Sequence, residues 1–329
     1  MFNGKVIFIP GGTGSWGHTL TRILLDKFNP KEIIIFSRGE LAQVLMSRKF
    51  NDTRIRYVIG DIRDYEAVER ATRGVDICFY LSALKHVPVC EDNPQEAVKT
   101  NVNGTINIIN AAIVNKLERV IDVSTDKAVE PNNLYGMTKA VGEKLIIQAN
   151  DLSEHTRFMV IRAGNVMGSN GSVIPYFIEQ IKSGGPLTIT NNEMTRFFLT
   201  LEEAIYLLFT AIETSIGGEI FVMKMPACKI TELAEVIMEH YGVVTVIETG
   251  TRPGEKLHEA LVSKYEAPLT KVYDDNYYVI LPPTGVIEQH YSHLPQFPMK
   301  EFDSNTFPMT RDDVRVMLKK GGFLIGETK

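Results

Sequence analysis

Val6-Ile7-Phe8-Ile9-Pro10-Gly11-Gly12-Thr13-Gly14-Ser15-Trp16-Gly17 is the stretch whose reading decides the fold. A short apolar run enters a loop spaced Gly-x-x-Gly-x-x-Gly at 11, 14 and 17, and a helical pattern (Leu20, Ile23, Leu24, Phe28) follows. Glycines let a backbone turn sharply and approach a pyrophosphate, which the N-terminus of the next helix then holds. A glycine loop alone is a weak signal; strand before and helix after make it a dinucleotide-binding turn. Pro10 falls where the strand ends, so it removes no central ladder bond.

Outward from that loop the first half alternates. Short strands are expected over 32–37, 55–59, 77–81, 120–124 and 158–163, with helices over 94–114 and 134–149. Buried apolar strands separated by helices predict a parallel sheet covered on both faces, hence a doubly wound α/β (Rossmann) fold. After Ala163 the alternation loosens into a smaller α/β lobe. Ser172 is placed to cap a helix through Lys182, Thr200-Leu201-Glu202-Glu203 is a capping box, and Thr310 to Asp313 resembles one. The expected division gives 1–165 to the dinucleotide domain, with 195–225 returning to it, and 166–194 and 226–329 to a substrate lobe. A cleft between the two is the expected ligand site.

Composition narrows the function classes. The 329 residues are 44% hydrophobic and 23% charged with a formal net charge of −5, so no polybasic nucleic-acid or membrane surface is expected. Cys78, Cys90 and Cys228 lack Cys-x-x-Cys spacing and are expected as reduced thiols, with neither a disulfide framework nor a metal site. No signal peptide pattern opens the chain and no run approaches the ~20 apolar residues of a membrane helix, so a cytoplasmic location is expected.

Ser37-Arg38-Gly39-Glu40 ends the second strand, where an acid selects NAD and a basic side chain accommodates the 2′-phosphate of NADP. Ser37 and Arg38 favour NADP by hydrogen bonding and charge. Asp61 is read two ways: an acceptor for an adenine amino group, or a helix cap. Further on, Ser124-Thr125-Asp126-Lys127 stands at a strand end, followed by Tyr135 and Lys139 at i and i+4 on one helix face. A cation beside a phenol favours phenolate, which takes the proton of an alcohol. The Asp-Lys pair adds an acid and a base for elimination. An ordinary exposed ion pair is the rival reading, disfavoured because strand C-termini line the crevice of this fold.

With these residues in view, the chain resembles the extended short-chain dehydrogenase/reductases. It is most similar to the nucleotide-sugar dehydratases of the UDP-N-acetylglucosamine 4,6-dehydratase (5-epimerising, pseudaminic-acid-type) group. The carrying blocks are Gly11 to Ser15, Leu84-Lys85-His86-Val87-Pro88 with Cys90-Glu91, Glu96 to Asn101, Ser124 to Ala128, Asn133 to Lys139, Gly164-Asn165-Val166, Met194-Thr195-Arg196-Phe197 and Arg252 to Glu259.

The resemblance implies a homo-oligomeric enzyme with tightly bound NADP and a UDP-sugar substrate. It implies cofactor contacts from Gly11, Thr13, Gly14, Ser15, Trp16, Gly17, Ser37, Arg38, Asp61, Ile62, Leu81, Ser82, Ala83, Lys85, Asn101, Tyr135 and Lys139. Sugar and nucleotide contacts would come from Lys85, His86, Asn165, Val173, Thr195, Arg196, Arg252 and Glu255, with Arg196 and Arg252 on phosphates or the uridine end. Tyr135, Thr125 and Lys139 would serve C4 oxidation. Lys127, its pKa lowered, would take the C5 proton, and Asp126, protonated, would release the 6-hydroxyl. Ala163 stands where a tyrosine is common, Asn170 where an arginine is, Ser82 for a usual alanine and Ala42 for a lysine that assists the 2′-phosphate. The alternatives are a 5,6-dehydratase returning hydride to C4, a nucleotide-sugar 4-epimerase, and a non-catalytic NADP-binding regulator.

Overall fold

A computed structural model describes residues 1–168, 172–283 and 285–324. Its centre is a parallel sheet of β1 (Val6–Pro10), β2 (Glu32–Ser37), β3 (Ile55–Ile59), β4 (Ile77–Tyr80), β5 (Arg119–Thr125) and β6 (Arg157–Ala163). They lie in the order β3-β2-β1-β4-β5-β6, each neighbouring pair parallel. Order reverses between β1 and β4, and in a doubly wound sheet the ligand crevice opens at that point, beyond the strand C-termini.

Between and after these strands run the helices α1 (Ser15–Lys27), α2 (Glu40–Phe50), α3 (Tyr65–Ala71), α4 (Val87–Asp92), α5 (Pro94–Val98), α6 (Gly104–Val114) and α7 (Leu134–Gln148). Every residue of β1 is buried, as a strand covered on both faces must be. The stretch from Pro94 to Val114, expected as one helix, is interrupted by a π-helical turn at Lys99–Asn103. Such a turn inserts an extra residue into the helical ladder, and buried Asn101 lies within it. Asp64, not Asp61, caps α3, accepting from the Ala67 amide at 3.1 Å.

Beyond β6 the sheet gains Ile220–Met223, parallel, then Tyr277–Ile280 and Thr270–Val272, both antiparallel. The expected boundary at 226 is therefore crossed: these two short edge strands belong to the large sheet. The helix Leu201–Thr214, started by the Thr200–Glu203 capping box, packs against α1 and β6. Thr195–Leu199 instead sits in a small sheet between Ala227–Lys229 and Asn165–Val166.

The second lobe has its own core, in which Phe177, Leu187, Phe198, Leu233, Ile237 and Leu318 pack together. Thr310 and Asp313 close a capping box on its last helix. Ser172 precedes the helix Val173–Lys182 without capping it by side chain, and its hydroxyl is buried without a partner. Asn170 lies outside the described residues. The three cysteines are buried free thiols. Among the described residues no helix is long and apolar enough to cross a membrane.

Candidate active site

The glycine loop folds as its spacing requires. Gly11 adopts φ +81°, and a Cβ there would lie 2.8 Å from the Ser82 amide nitrogen. Gly17 packs α1 onto the loop so closely that a Cβ would fall 2.1 Å from the Gly12 carbonyl oxygen. Gly14 is the N-cap of α1 and supplies no side-chain cap, leaving the first-turn amides of a 13-residue helix for an anion. Thr13, Ser15 and Trp16 are half-buried around it. The donor set fits a dinucleotide.

At the end of β2, Ser37 Oγ accepts from buried Gln43 at 3.0 Å, and Arg38 is exposed beside it. Asp61 is committed to Arg63: it accepts from the Arg63 amide at 3.0 Å and grips the guanidinium in a fork, with Nη2 at 2.6 Å. Hydrogen bonds from Arg63 hold its carboxyl below the usual range, despite burial. Ile62 is buried beside it. Across the crevice, Leu81 N donates to Pro10 O at 3.1 Å, and half-buried Ser82 precedes exposed Ala83, Lys85 and His86. Asn101 shapes that loop. Its amide accepts from Leu84 N at 2.8 Å and donates to Leu84 O at 2.9 Å and Thr138 Oγ1 at 3.0 Å.

Thr125, Asp126, Lys127, Tyr135 and Lys139 come together. β5 delivers Thr125 to the crevice, and a 3-10 turn, Asp126–Ala128, follows at once. Thr125 Oγ1 accepts from Lys127 N at 3.3 Å and donates to Asp126 Oδ1 at 2.9 Å. The Lys127 ammonium donates to the same oxygen at 2.9 Å. Asp126 is fully buried, and its Oδ2 has no partner. α7, capped by Asn133 accepting from Gly136 N, carries Tyr135 into the neighbourhood of Thr125, whose hydroxyl acts to lower the phenol.

Two electrostatic expectations are overturned. Lys127 was expected to titrate low. Burial does push it down, yet Asp126 and Glu259 together outweigh burial and raise it. The Tyr135 phenol was expected to be lowered by Lys139. Burial dominates and raises it, although Lys139, Lys127 and Thr125 pull the other way. Lys139 is itself paired with Asp122 on β5, a residue the sequence pattern does not single out. Lys139 Nζ donates to both its carboxylate oxygens, at 2.9 and 3.1 Å, deep in the protein, so much of that charge is already answered.

Beside this pair a second buried network joins three elements. Ser124 Oγ donates to Glu143 on α7 at 2.5 Å, Arg162 on β6 pairs with Glu143 at 2.6 Å, and the same guanidinium reaches Glu266 at 2.9 Å.

From the second lobe, the segment after Gly250 crosses the start of α7. Asn133 Nδ2 donates to Gly254 O at 2.9 Å, and Lys256 Nζ donates to Val129 O at 2.5 Å. It carries Arg252, exposed, whose amide donates to half-buried Glu255 at 3.0 Å. It also brings Glu259 to the site, a residue quoted within a family block but given no role. Glu259 Oε1 lies 3.7 Å from Lys127 Nζ and 3.9 Å from Arg196 Nε. Arg196 is buried and donates to the carbonyls of Thr195 (2.7 Å) and Leu257 (3.2 Å), with its Nε toward Glu259. Thr195 turns its hydroxyl to His258 (2.7 Å) and Ser304 (2.6 Å). Asn165 and Val173 are half-buried nearby in sequence order, without a bond to this cluster.

Comparison with known proteins agrees with this geometry. Residues 7–281 match the family described as polysaccharide biosynthesis protein. A UDP-N-acetylglucosamine 4,6-dehydratase (inverting) of Campylobacter jejuni subsp. jejuni serotype O:23/36 (strain 81-176) is 46% identical over 292 residues, 88% of this chain and 86% of the relative. A UDP-glucose 4-epimerase of Rickettsia prowazekii (strain Madrid E) is 45% identical over 291 residues, 87% and 85% of the two chains. The X-ray structure of Pen from Bacillus thuringiensis superposes with a TM-score of 0.92 at 37% identity, covering 98% of this chain and 99% of that one. The glycine loop, the Tyr135–Lys139 pair and a match this long make the chain a member of the polysaccharide biosynthesis protein family, within the extended short-chain dehydrogenase/reductases.

Proposed function

We propose that the protein is a nucleotide-sugar dehydratase acting on UDP-N-acetylglucosamine, giving a UDP-4-keto-6-deoxy sugar. The observation that carries this reading is the Asp126–Lys127 pair, 2.9 Å apart, its carboxylate buried and its lysine half-buried, in the turn that directly follows Thr125 and packs against α7, the helix of Tyr135. Relatives named for the same activity support it. Gly11 to Gly17, with Ser37 and Arg38 for a 2′-phosphate, would hold NADP, which would supply a reversible hydride acceptor for C4 oxidation and C6 reduction with no net oxidation.

Tyr135, whose phenol first gives its proton to solvent, takes the proton of the 4-hydroxyl as a phenolate beside Lys139. The resulting ketone acidifies C5–H. Lys127 rests as an ammonium, so the working base and acid arise together when one proton crosses from its Nζ to Asp126 Oδ1 along their hydrogen bond. Lys127 then takes the C5 proton while Asp126 gives its own to the departing 6-hydroxyl as water. That step returns the pair to its starting charges. Lys127 finally delivers a proton to C5, and the face it reaches decides retention or inversion. Arg252 and Glu255 would serve the nucleotide, and Lys85, His86 and Asn165 the sugar and diphosphate.

A 4-epimerase is the second reading, favoured by relatives at 45% identity that carry that name. Epimerisation uses Tyr135, Lys139 and Thr125 but needs no eliminating acid and base. Incubating the pure protein with UDP-N-acetylglucosamine, without added reductant, separates the outcomes by proton NMR. A C6 methyl doublet supports the 4,6-dehydratase, vinylic signals indicate a 5,6-ene product, and a hexose inverted at C4 indicates the epimerase. Exposed Val98, Ile106, Met137 and Val141 on the helices over this face support a homo-oligomer.

A further inference from the structure

Glu259 enters the site from the far lobe and is the second carboxylate within ion-pair reach of Lys127. It is 3% exposed, and its Oε2 is buried without a hydrogen-bond partner. Its backbone is fixed: the Glu259 amide donates to Ser304 Oγ at 3.0 Å, and Ser304 N donates to Glu259 O at 2.8 Å. A carboxylate this deeply buried, with one oxygen lacking a hydrogen-bond partner, is costly unless it answers a charge. The charges on offer are Lys127 from the turn after β5 and Arg196 from the small sheet.

We propose that Glu259 is the positioning residue of the elimination pair: with Asp126 it grips the Lys127 ammonium between two carboxylates, aims its nitrogen, and governs when that nitrogen surrenders its proton. This deepens the dehydratase reading and rests on it for its role in turnover. While the Asp126–Lys127 pair is neutral and working, Arg196 at 3.9 Å still answers Glu259. Once Lys127 has taken the C5 proton, both carboxylates face the new ammonium, which favours proton abstraction as a step. No bond to carbon and no electron pair passes through Glu259.

The groups facing Glu259 set the sign. Burial raises its carboxyl, Lys127 opposes that, Asp126 adds to it, and Arg196 and Lys256 oppose it. Glu130 acts on the neighbouring Lys256, and His258 is turned to Thr195. Toward Lys127 the effect of Glu259 is to raise the ammonium, second among the raising charges after Asp126.

The test is made on the full chain. The reactivity of Lys127 toward a small acylating reagent is followed against pH by peptide mass spectrometry, for the wild-type protein and for Glu259→Gln and Glu259→Asp. In Glu259→Gln the midpoint for Lys127 falls by roughly one to three units, the size of an opposed charge within about 4 Å. Glu259→Asp keeps the charge and falls less. The limb of the pH–rate profile that reports Lys127 moves down with it. An unchanged midpoint in Glu259→Gln overturns the proposal, as does an equal fall in both variants, which marks a packing effect. Because acylation needs no substrate, a shifted midpoint in a protein that leaves UDP-N-acetylglucosamine untouched upholds the assignment of Glu259 and removes only the dehydratase reading.

Discussion

Lys139 and Asp122 form a buried two-bond ion pair, Nζ to Oδ1 at 2.9 Å and to Oδ2 at 3.1 Å, with side chains 3% and 1% exposed. The lysine that would tune Tyr135 is thus already engaged by the strand that carries Thr125. Its position is fixed by β5, and it remains the largest charge acting to lower the Tyr135 phenol, which burial outweighs.

Replacing Asp122 by Asn leaves Lys139 buried and unanswered. Loss of one partner of a buried pair costs about 3–5 kcal/mol. The expected outcome is a matching fall in stability by urea denaturation, with Asp122→Asn combined with Lys139→Met costing less than Asp122→Asn alone.

Lys127→Ala removes the base but leaves Tyr135 and Thr125 intact. Dehydration should fall about 10²–10⁴-fold, the range for a positioned acid–base group. C4 oxidation persists, so reduced nicotinamide accumulates and is read by its near-ultraviolet absorbance. Full turnover by this variant contradicts the assignment.

Arg38 is exposed at the end of β2 with no acidic residue beside it in sequence until Glu40. Arg38→Ala should weaken NADP binding about tenfold to a hundredfold, the worth of a charge-assisted hydrogen bond, and leave NAD binding nearly unchanged. Isothermal titration with each dinucleotide measures both.

Glu266 supplies an acid-sensitive tie between β6 and the turn that leads into the edge strand Thr270–Val272. Burial acts to raise its carboxyl, but Arg162 and Ser263 prevail and hold it below the ordinary 4.5. A depressed folded-state pKa means stability that is present above 4.5 and lost as pH falls through the folded value. Glu266→Gln should therefore cost about 1.5–3 kcal/mol at neutral pH and flatten the acid limb of stability against pH, measured by thermal melts.

Much of this was legible from residues alone. The apolar runs of β1 to β6 carry the parallel-sheet pattern, and the loop at 11–17 fixes where a phosphate would sit. The edge strands Thr270–Val272 and Tyr277–Ile280 were not legible, because three or four residues of alternating character fit either lobe. Asp122 was hidden for another reason: one acid inside an apolar strand declares a partner but does not name it. A carboxylate at a fully buried strand position was the signal. The raised Lys127 needed Glu259, brought from the far end of the chain by a loop whose docking on Asn133 no local pattern reveals. The π-turn at Lys99–Asn103 was masked by a continuous helical sequence.

The most direct measurement is proton NMR of the reaction run in deuterium oxide. Abstraction and return at C5 by Lys127, with water lost from C6, predict a UDP-sugar bearing a C6 methyl group and deuterium at C5. Recovery of a hexose that keeps its C6 hydroxymethyl group and its C5 hydrogen would contradict the account.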